Sequence, residues 1–290
     1  MPEQTDIPCD IHPSARVHSD AVIGPFCTIG PHVTVGPGTV LGARVTITGR
    51  TTIGSNNIIG DGCVLGARPQ DLKYGGAITL LVIGHNNRLG RLVTAHPGTE
   101  SGGYVTRIGD SNVLADGCHV AHDCYVDSHT RIGRYVQLAG HVLVEDGAVL
   151  DAFSGCHHFV TVGQYAHIGA RTPVRRDVPP FTLFASEDYD RVSPAVQGLH
   201  EDGISAAHLE TYDEFELRRT LHELFQDEIA LQTKIEHLEN MGIEGSGKAV
   251  CDFITASLQG KFGRIREGLR GQIPPEAVPH LTPEIQARLR

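Results

Sequence analysis

The sequence predicts a mainly β protein: a parallel β-helix built from hexapeptide repeats, followed by a C-terminal α-helical domain. Two observations predict the coil. An aliphatic residue occupies almost every sixth position from about Ile11 to about Val174, and a glycine often follows it, as at Gly24 and Gly30. A short fixed period of this kind is typical of a solenoid, in which each repeat buries its apolar face against its neighbours.

The six-residue period can be followed along the chain in three runs. Its positions are Ile11, Val17, Ile23, Ile29, Val35, Leu41, Ile47, Ile53, Ile59 and Leu65, then Ile83, Leu89 and Ala95, then every sixth residue from Ile108 to Val174. The residue two places earlier also points inward, because side chains alternate along a strand, so small residues such as Cys27, Asn57 and Cys63 fill the interior. Three sides close a coil of ~18 residues, and the coils stack ~4.8 Å apart. We expect glycine and asparagine to supply the unusual backbone dihedrals of the corners.

Two segments interrupt the period. Residues 71–82 and 97–107 lack the regularly spaced aliphatic residues, so we expect them to leave the coil as loops. Loops on a rigid scaffold often carry binding residues. We therefore assign residues 1–190 to the coil with its two excursion loops, and residues 191–290 to a connector and a C-terminal helical domain.

The C-terminal part changes from the period of a strand to that of a helix. Its apolar residues are spaced mainly three and four apart, with an interruption at Glu228, and they are Leu217, Leu221, Leu224, Leu231, Ile235 and Leu238. A second helix is expected over about residues 248–259. This short apolar stripe predicts a helical bundle that packs on the coil, and a free coiled-coil arm is the alternative.

Composition and charge limit the classes of function. The chain of 290 residues has a formal net charge of −10, which argues against a general nucleic-acid role. We expect neither a transmembrane segment nor a secretory signal, because no long apolar run and no basic leader is present. The seven cysteines are scattered and odd in number, so we interpret them as reduced thiols of a cytoplasmic protein.

Histidine is the richest chemical signal, because the coil brings residues 18 positions apart into one column. His122 stacks under Gly140 and Gly140 under His158, while Asp123 stacks under His141. All of them lie at corners of the coil. Their side chains should therefore point outward and line a cleft.

Two chemistries fit this column. In the first, His122 is a general base, Asp123 orients its ring, and the Gly140 N–H binds an oxyanion. In the second, His119, His122 and His141 bind zinc with an open position, as in a hexapeptide-fold carbonic anhydrase. A purely structural trimeric scaffold is a further alternative.

A set of motifs, in matching order and spacing, resembles one family of enzymes. The motifs are Gln70-Asp71-Leu72-Lys73-Tyr74, His96 with Gly98-Thr99, His119-Val-Ala-His122-Asp123-Cys124, Leu138-Ala139-Gly140-His141, His157-His158-Phe159 and Asp177-Val178-Pro179-Pro180. They are similar to those of the acyl-carrier-protein-dependent UDP-N-acetylglucosamine O-acyltransferases, which begin lipid A synthesis. The resemblance covers residues 10–204 and, more loosely, the helical tail. It implies a left-handed coil, a homotrimer with clefts between adjacent coils, a 3-hydroxyacyl donor on acyl carrier protein, and no cofactor.

The resemblance also assigns roles to individual residues. It implies that His122 deprotonates the 3-hydroxyl of the sugar, that Asp123 supports His122, and that the Gly140 amide forms the oxyanion hole. The substrate-binding residues that it implies are Gln70, Asp71, Lys73, His96, His119, His141, His157, His158 and Ala170. Arg191 is a further candidate for substrate binding, which the family pattern does not supply. It implies no metal ligand.

The sequence departs from the family at several substrate positions, namely Pro97, His158, Ala170, Ala195, Gln197 and the pair Glu201-Asp202. The acidic pair stands where the family has two basic residues that help to bind diphosphate. Either another cation such as Arg191 binds the phosphates, or the acceptor is a different sugar. Ala170 stands where the family uses glycine to admit a long acyl chain, so we expect a shorter chain.

An acidic carrier protein requires a basic landing surface. Two sets of arginines are candidates: Arg171, Arg175, Arg176 and Arg191 after the last coils, or Arg264, Arg266 and Arg270 in the tail. A solvated charged face is the alternative interpretation of either set.

Overall fold

Short parallel strands wind into three sheets that form the walls of a prism. A computed structural model describes residues 8–186, 195–226 and 229–288. Each sheet receives every third strand, so Thr28–Ile29 pairs with Thr46–Ile47 one coil later. The predicted left-handed parallel β-helix, followed by helices, is confirmed.

Each sheet is a stack of very short strands in which neighbours pair. The first sheet contains Asp10–Ile11, Thr28–Ile29, Thr46–Ile47, Val64–Leu65, Thr94–Ala95, His119–Val120, Gln137–Leu138, Gly155–Cys156 and Pro173–Val174. The second contains Arg16–Val17, Thr34–Val35, Arg50–Ile53, Leu80–Ile83, Val105–Ile108, Tyr125–Val126, Leu143–Val144 and Thr161–Val162. The third contains Val22–Ile23, Val40–Leu41, Ile58–Ile59, Arg88–Leu89, Val113–Leu114, Arg131–Ile132, Val149–Leu150, His167–Ile168, Thr182–Ala185 and the antiparallel strand Ala195–Leu199.

The two excursions end earlier than the sequence predicted. Leu80–Ile83 and Val105–Ile108 are four-residue strands of the second sheet, and Leu80–Ile83 pairs with both Arg50–Ile53 and Val105–Ile108. The expected loop bounds 71–82 and 97–107 are therefore wrong at their C-terminal ends. Each loop ends where its longer strand begins, and a six-residue period does not reveal that a strand is longer than usual.

A ladder of buried polar side chains runs through the interior of the coil. Asn87 N and Nδ2 donate to Asn57 Oδ1 at 2.9 and 3.0 Å, and Asn112 N donates to Asn87 Oδ1 at 2.9 Å. Thr130 continues the ladder, because its N and Oγ1 both donate to Asn112 Oδ1 at 2.8 Å. Asn87 Nδ2 also reaches Gly109 O at 2.8 Å. The ladder therefore satisfies the amides that it buries, which is the condition for placing them in a core.

The glycines that follow the aliphatic residues allow close packing between coils. A Cβ added at Gly60 would lie 2.6 Å from the Gly90 carbonyl carbon, and one added at Gly36 would lie 2.6 Å from Gly54 O. The expectation that glycine and asparagine supply the corner dihedrals is wrong at many corners. Large residues occupy the left-handed region there, such as Phe26, which has a φ of 61° and an exposed side chain.

Helices follow the coil in the described part of the chain, and none of them has the length and apolar character that crossing a bilayer requires. The α-helices are α1 (Glu201–Ala206), α2 (Thr211–Phe225), α3 (Leu231–Asn240), α4 (Gly245–Gln259) and α5 (Pro283–Arg288), and the 3-10 helices are Ile265–Leu269 and Pro275–His280. Glu228, where the sequence interrupts the apolar stripe, and the predicted domain boundary between residues 190 and 191 lie outside the described residues.

The predicted apolar stripe is divided between two helices. Leu217 of α2 and Ile235 of α3 share a buried cluster with Phe181, which lies at the end of the coil. The helical bundle therefore packs on the coil, as predicted. The helix expected over residues 248–259 begins slightly earlier, at Gly245.

The last segment of the chain turns back along the coil, and this return was not predicted. Ala277, Leu281 and Ile285 are buried in a cluster with Val105 and Tyr125 of the second sheet. Their spacing of four residues is the sequence signal from which a packed segment could have been found. The coil is therefore covered by its own chain on part of the second sheet.

The substitution Asn87→Leu tests the ladder. It removes the acceptor of the Asn112 N–H and the donor to Gly109 O, so we expect the free energy of unfolding to fall by about 2–4 kcal/mol. The measurement is the urea midpoint of the purified protein. Asn86→Gly is the matched control, because Asn86 is exposed and its φ of 58° suits glycine. An unchanged midpoint for Asn87→Leu would show that the ladder does not stabilise the coil.

Candidate active site

The histidine column lies at the corner between the first and second sheets. His122 and Asp123 occupy this corner, and the stacking expected from the count of 18 residues is present. The His141 N–H donates to His122 O at 3.1 Å, and the Phe159 N–H donates to Gly140 O at 3.2 Å. The coil therefore places these residues one above another on its outside.

His122 is paired with a completely buried carboxylate. Its Nδ1 lies 2.8 Å from Asp123 Oδ2, and the Asp123 side chain has no exposed surface. Because an ionised carboxylate only accepts hydrogen bonds, Nδ1 of His122 carries the hydrogen and Nε2 is left with a lone pair. The His122 side chain keeps 12% of its surface exposed. Its Nε2 is thus prepared to accept a proton from a molecule in the cleft.

The second excursion wraps around Asp123, and this contact was not predicted. Thr99 N donates to Asp123 Oδ1 at 2.7 Å, and Thr99 Oγ1 donates to Oδ2 at 2.6 Å. Asp123 N donates in turn to Thr106 Oγ1 at 2.7 Å. A Cβ at Gly102 would overlap the Asp123 carboxylate, so the loop must have glycine at this point of approach. The only signal in the sequence is that these small residues lie in the interruption of the period.

Gly140 lies against the His122 ring. A Cβ added to Gly140 would lie 2.5 Å from His122 Cε1, so no larger residue fits without moving the imidazole. Among the described residues the Gly140 N–H donates no hydrogen bond. It remains free for a ligand oxygen, as an oxyanion-hole donor must be.

His141 lies beside the pair and stays uncharged at neutral pH. Its Nε2 is 3.9 Å from Asp123 Oδ2, and its ring is edge-on to that of His122 with centroids 5.2 Å apart. Its other neighbour is Phe159, whose ring stacks on it at 4.2 Å. Burial lowers the pKa of His141 to about 4.

His96 and His119 form a second pair, with ring centroids 5.3 Å apart. His96 is buried, and its Nδ1 lies 3.0 Å from Ala67 O and 2.9 Å from Arg68 O. It therefore anchors the start of the first excursion. His119 Nδ1 lies 2.8 Å from Thr94 Oγ1, and burial lowers the pKa of His119 to about 4.

The residues that could bind a metal differ from those that the sequence suggested. Nitrogen and oxygen atoms of His122, Asp123 and His141 lie within 4.8 Å of one another, and His119 is not part of this group. The Asp123 oxygens already accept hydrogen bonds from Thr99 and His122. The group is therefore engaged in its own hydrogen bonds.

Two clefts meet at the column. The first has a volume of about 470 Å³, and its polar walls include Asp71, Lys73, Arg264, Glu267 and Arg270. The second also has a volume of about 470 Å³, and its less polar walls include Leu138, Ala139, Gly140, Cys156 and Val174. Both clefts are lined by Gln70, His122, His157 and His158. His122 therefore stands where the two clefts join.

The remaining predicted site residues lie as follows. His141 lines the first cleft and His119 the second. His96 and Ala170 line neither of these two clefts, and Ala170 is exposed at the corner between the third and first sheets. Arg191 lies outside the described residues.

Two of the three tail arginines are buried and do not form an open surface. Arg264 and Arg266 are 7% and 6% exposed, and the Arg266 guanidinium lies 4.9 Å from the centroid of the Tyr125 ring. The suggestion that both serve as a landing surface for a carrier protein is therefore wrong, because neither can reach a partner. Arg270 is half exposed and lines the first cleft.

Comparison with known proteins identifies the family. Residues 8–43 match the family model for the bacterial transferase hexapeptide (six repeats). The chain is 37% identical to the acyl-(acyl-carrier-protein)–UDP-N-acetylglucosamine O-acyltransferase of Nautilia profundicola over 198 residues, which are 68% of this chain and 74% of that protein. The chain belongs to this O-acyltransferase family.

Further O-acyltransferases agree with this assignment. The chain is 34% identical over 201 residues to the Burkholderia thailandensis member, covering 68% of this chain and 75% of that one. The crystal structure of the Francisella novicida UDP-N-acetylglucosamine acyltransferase matches with a TM-score of 0.79 and 30% identity, over 85% of this chain and 89% of that one. The resemblance inferred from the motifs is confirmed.

The neutral state of His141 predicts a loss of stability in acid. The unfolded chain takes up the proton near its ordinary pKa of 6.5, whereas the folded ring does so only near 4. The contribution is therefore complete above pH 6.5 and is lost as the pH falls from about 6.5 to about 4. The loss amounts to about 2 kcal/mol at pH 5.

Urea unfolding at pH 7 and pH 5 measures this loss in the natural protein and in His141→Asn. Asparagine suits the φ of 66° at this position and does not titrate. We expect the natural protein to lose about 2 kcal/mol more than the variant between the two pH values. Equal losses would mean that His141 is not kept neutral by burial.

Proposed function

We propose that this protein transfers a 3-hydroxyacyl chain from acyl carrier protein to the 3-hydroxyl of UDP-N-acetylglucosamine, the first step of lipid A biosynthesis. The single observation that supports this most is the position of His122. It is paired with a buried carboxylate and stands where a more polar cleft joins a less polar one. A base at this junction can act between a hydrophilic acceptor and a fatty acyl donor, and the chain belongs to the family that catalyses this transfer.

The reaction follows from the groups at the junction. His122 Nε2 removes the proton of the sugar 3-hydroxyl as its oxygen attacks the thioester carbonyl carbon. The carbonyl oxygen becomes an oxyanion, for which the free Gly140 N–H is the donor. The tetrahedral intermediate then breaks the carbon–sulfur bond, and the thiol leaves with the proton from His122. Asp123 stabilises the imidazolium that exists between the two proton transfers. No cofactor is needed, because the thioester is already activated.

Each cleft suits one substrate. The first carries Lys73 and Arg270 beside Asp71, which suits a nucleotide sugar with charged phosphates and several hydroxyls. The second carries Leu138 and Val174, which suits an acyl chain. Gln70, His119, His141, His157 and His158 complete the walls as substrate-binding residues.

The proposal includes a homotrimer. The second cleft lies on the outward face of the first sheet, where a neighbouring copy would supply the missing wall. The proposal also includes a cytoplasmic location, because acyl carrier protein is the donor and all seven cysteines are free thiols. Arg175 lines the second cleft, so the carrier protein would dock beside the arginines that follow the last coil.

A different sugar acceptor is the second candidate. Glu201 stands in the acidic pair that replaces two basic residues of the family, and its Oε2 accepts a hydrogen bond from Arg218 Nη1 at 2.7 Å. The Glu201 carboxylate is therefore paired within the helical domain. Because it is negative, it does not replace the cation that binds a phosphate in the family. The acceptor question is decided by a panel of UDP-sugars offered with acyl-carrier-protein thioesters of several chain lengths.

The panel gives a direct test of the function. We expect transfer to UDP-N-acetylglucosamine by the natural protein and loss of at least ~10³-fold of the rate in His122→Ala, with an unchanged oligomer. Transfer only to another sugar would favour the second candidate. Retained turnover in His122→Ala, or stoichiometric zinc bound through the histidines, would contradict the base mechanism.

The substitution Thr99→Val tests whether the second excursion supports the His122–Asp123 pair. It removes the hydroxyl that donates to Asp123 Oδ2, a hydrogen bond to a buried charge worth about 1.5–3 kcal/mol. We expect kcat to fall by roughly 10–100-fold, with little change in the KM of either substrate. Thr99→Ser is the matched control, because it keeps the hydroxyl and should keep most of the rate. A similar loss in both variants would indicate a packing effect instead.

A further inference from the structure

Arg264 reaches the histidine column from the C-terminal segment. Its Nη1 lies 2.6 Å from His157 Nδ1 and 3.0 Å from His158 O. The side chain is buried, and its Nη2 lies 3.6 Å from Glu267 Oε2, which balances its charge. A buried arginine at this point contacts a ring that lines both clefts.

The contact decides which nitrogen of His157 carries the hydrogen. A guanidinium has donors only and does not lose its proton in proteins. Nδ1 of His157 must therefore accept, and in the neutral ring the hydrogen lies on Nε2. His122 has the opposite arrangement, because its Nδ1 donates to Asp123 and its Nε2 keeps the lone pair.

The segment that carries Arg264 is anchored on both sides. Before and after the arginine, Asp177 N donates to Gly263 O at 2.8 Å and Ile265 N donates to Asp177 Oδ2 at 2.7 Å. Further along, Gly271 N donates to Ser101 O at 3.0 Å, in the same excursion that contacts Asp123. The tail is therefore tied to the end of the coil and to the loop of the active site.

We propose that the C-terminal segment forms part of the active site. In this proposal Arg264 is a positioning residue that keeps His157 as a neutral Nε2–H donor. If the protein catalyses the proposed acyl transfer, the partner of this donor is an oxygen of the acceptor substrate. The junction of the clefts then has two imidazoles, one that accepts a hydrogen bond at Nε2 and one that donates a hydrogen bond from Nε2. His122 accepts the proton of the reacting hydroxyl, and His157 donates to an oxygen that stays unprotonated.

The tautomer can be read without any substrate. In protein labelled with ¹⁵N-histidine, the difference spectrum between the natural protein and His157→Asn isolates the two nitrogens of His157. We expect a neutral ring with its unprotonated nitrogen at Nδ1. In Arg264→Met that signature should change, because the ring then loses its donor. Arg270→Met is the matched control for the signature, because Arg270 also pairs with Glu267 but is not bonded to His157. Protonated Nδ1 in the natural protein, or no change in Arg264→Met, would overturn the proposal.

Kinetics test whether the tautomer is used. Arg264→Met and His157→Asn should each raise the KM of the nucleotide sugar by about 10-fold, and the double variant should be no worse than either. Losses that multiply would show that Arg264 acts independently of His157. Arg264→Lys keeps a cation that only donates and still balances Glu267, so it should recover part of the loss. If Arg264→Met does not fold, Arg264→Gln is the test variant, because it keeps a polar side chain but removes the cation that can only donate.

The two readouts separate this proposal from the proposed function. If no acyl transfer is found for any sugar, the spectrum still decides whether Arg264 sets the tautomer of His157. If transfer is found and the spectrum shows a hydrogen on Nδ1, the proposed function stands and the role of Arg264 is wrong.

Discussion

Hydrogen bonding between successive coils is the constraint on which the rest of the structure depends. Each coil adds one strand to each sheet, so residues one coil apart must lie at the spacing of paired strands. Where the coils approach most closely, as at Gly60, a side chain has no room. Where a polar side chain points inward, as at Asn87, its counterpart in the next coil becomes its partner. Outside the coil, the same spacing places Gly140 against the ring of His122.

The non-repeating segments give this regular column its chemistry. A coil alone would present His122 and His157 as similar exposed imidazoles. The second excursion brings Thr99 onto Asp123, which fixes the carboxylate that accepts from His122. The C-terminal segment brings Arg264 onto His157, so Nδ1 of that ring accepts a hydrogen bond where Nδ1 of His122 donates one. The scaffold therefore provides positions, and the segments that leave it determine which atoms donate and which accept.

Much of this architecture was open to prediction from the sequence. The period identified the coil, and the count of 18 residues per turn of the coil was sufficient to place His122, Gly140 and Asp123 together. The loop ends were predicted too late, because strands such as Leu80–Ile83 are longer than the repeat requires. Arg264 and Arg266 were misjudged as surface charges. Their burial depends on a segment that returns from far along the chain, which local patterns do not describe.

What the sequence by itself determined is everything that repeats: the strands, the direction in which side chains point, and the column that stacks His122 below Gly140. A periodic pattern specifies these features, because each coil repeats the geometry of the one before it. Only the tertiary structure decided which groups contact that column from outside. Thr99 and Arg264 reach it through contacts between residues 24 and 107 positions apart, and no period in the chain records such a separation. The six-residue period therefore located the site, and the folded chain assigned donor and acceptor within it.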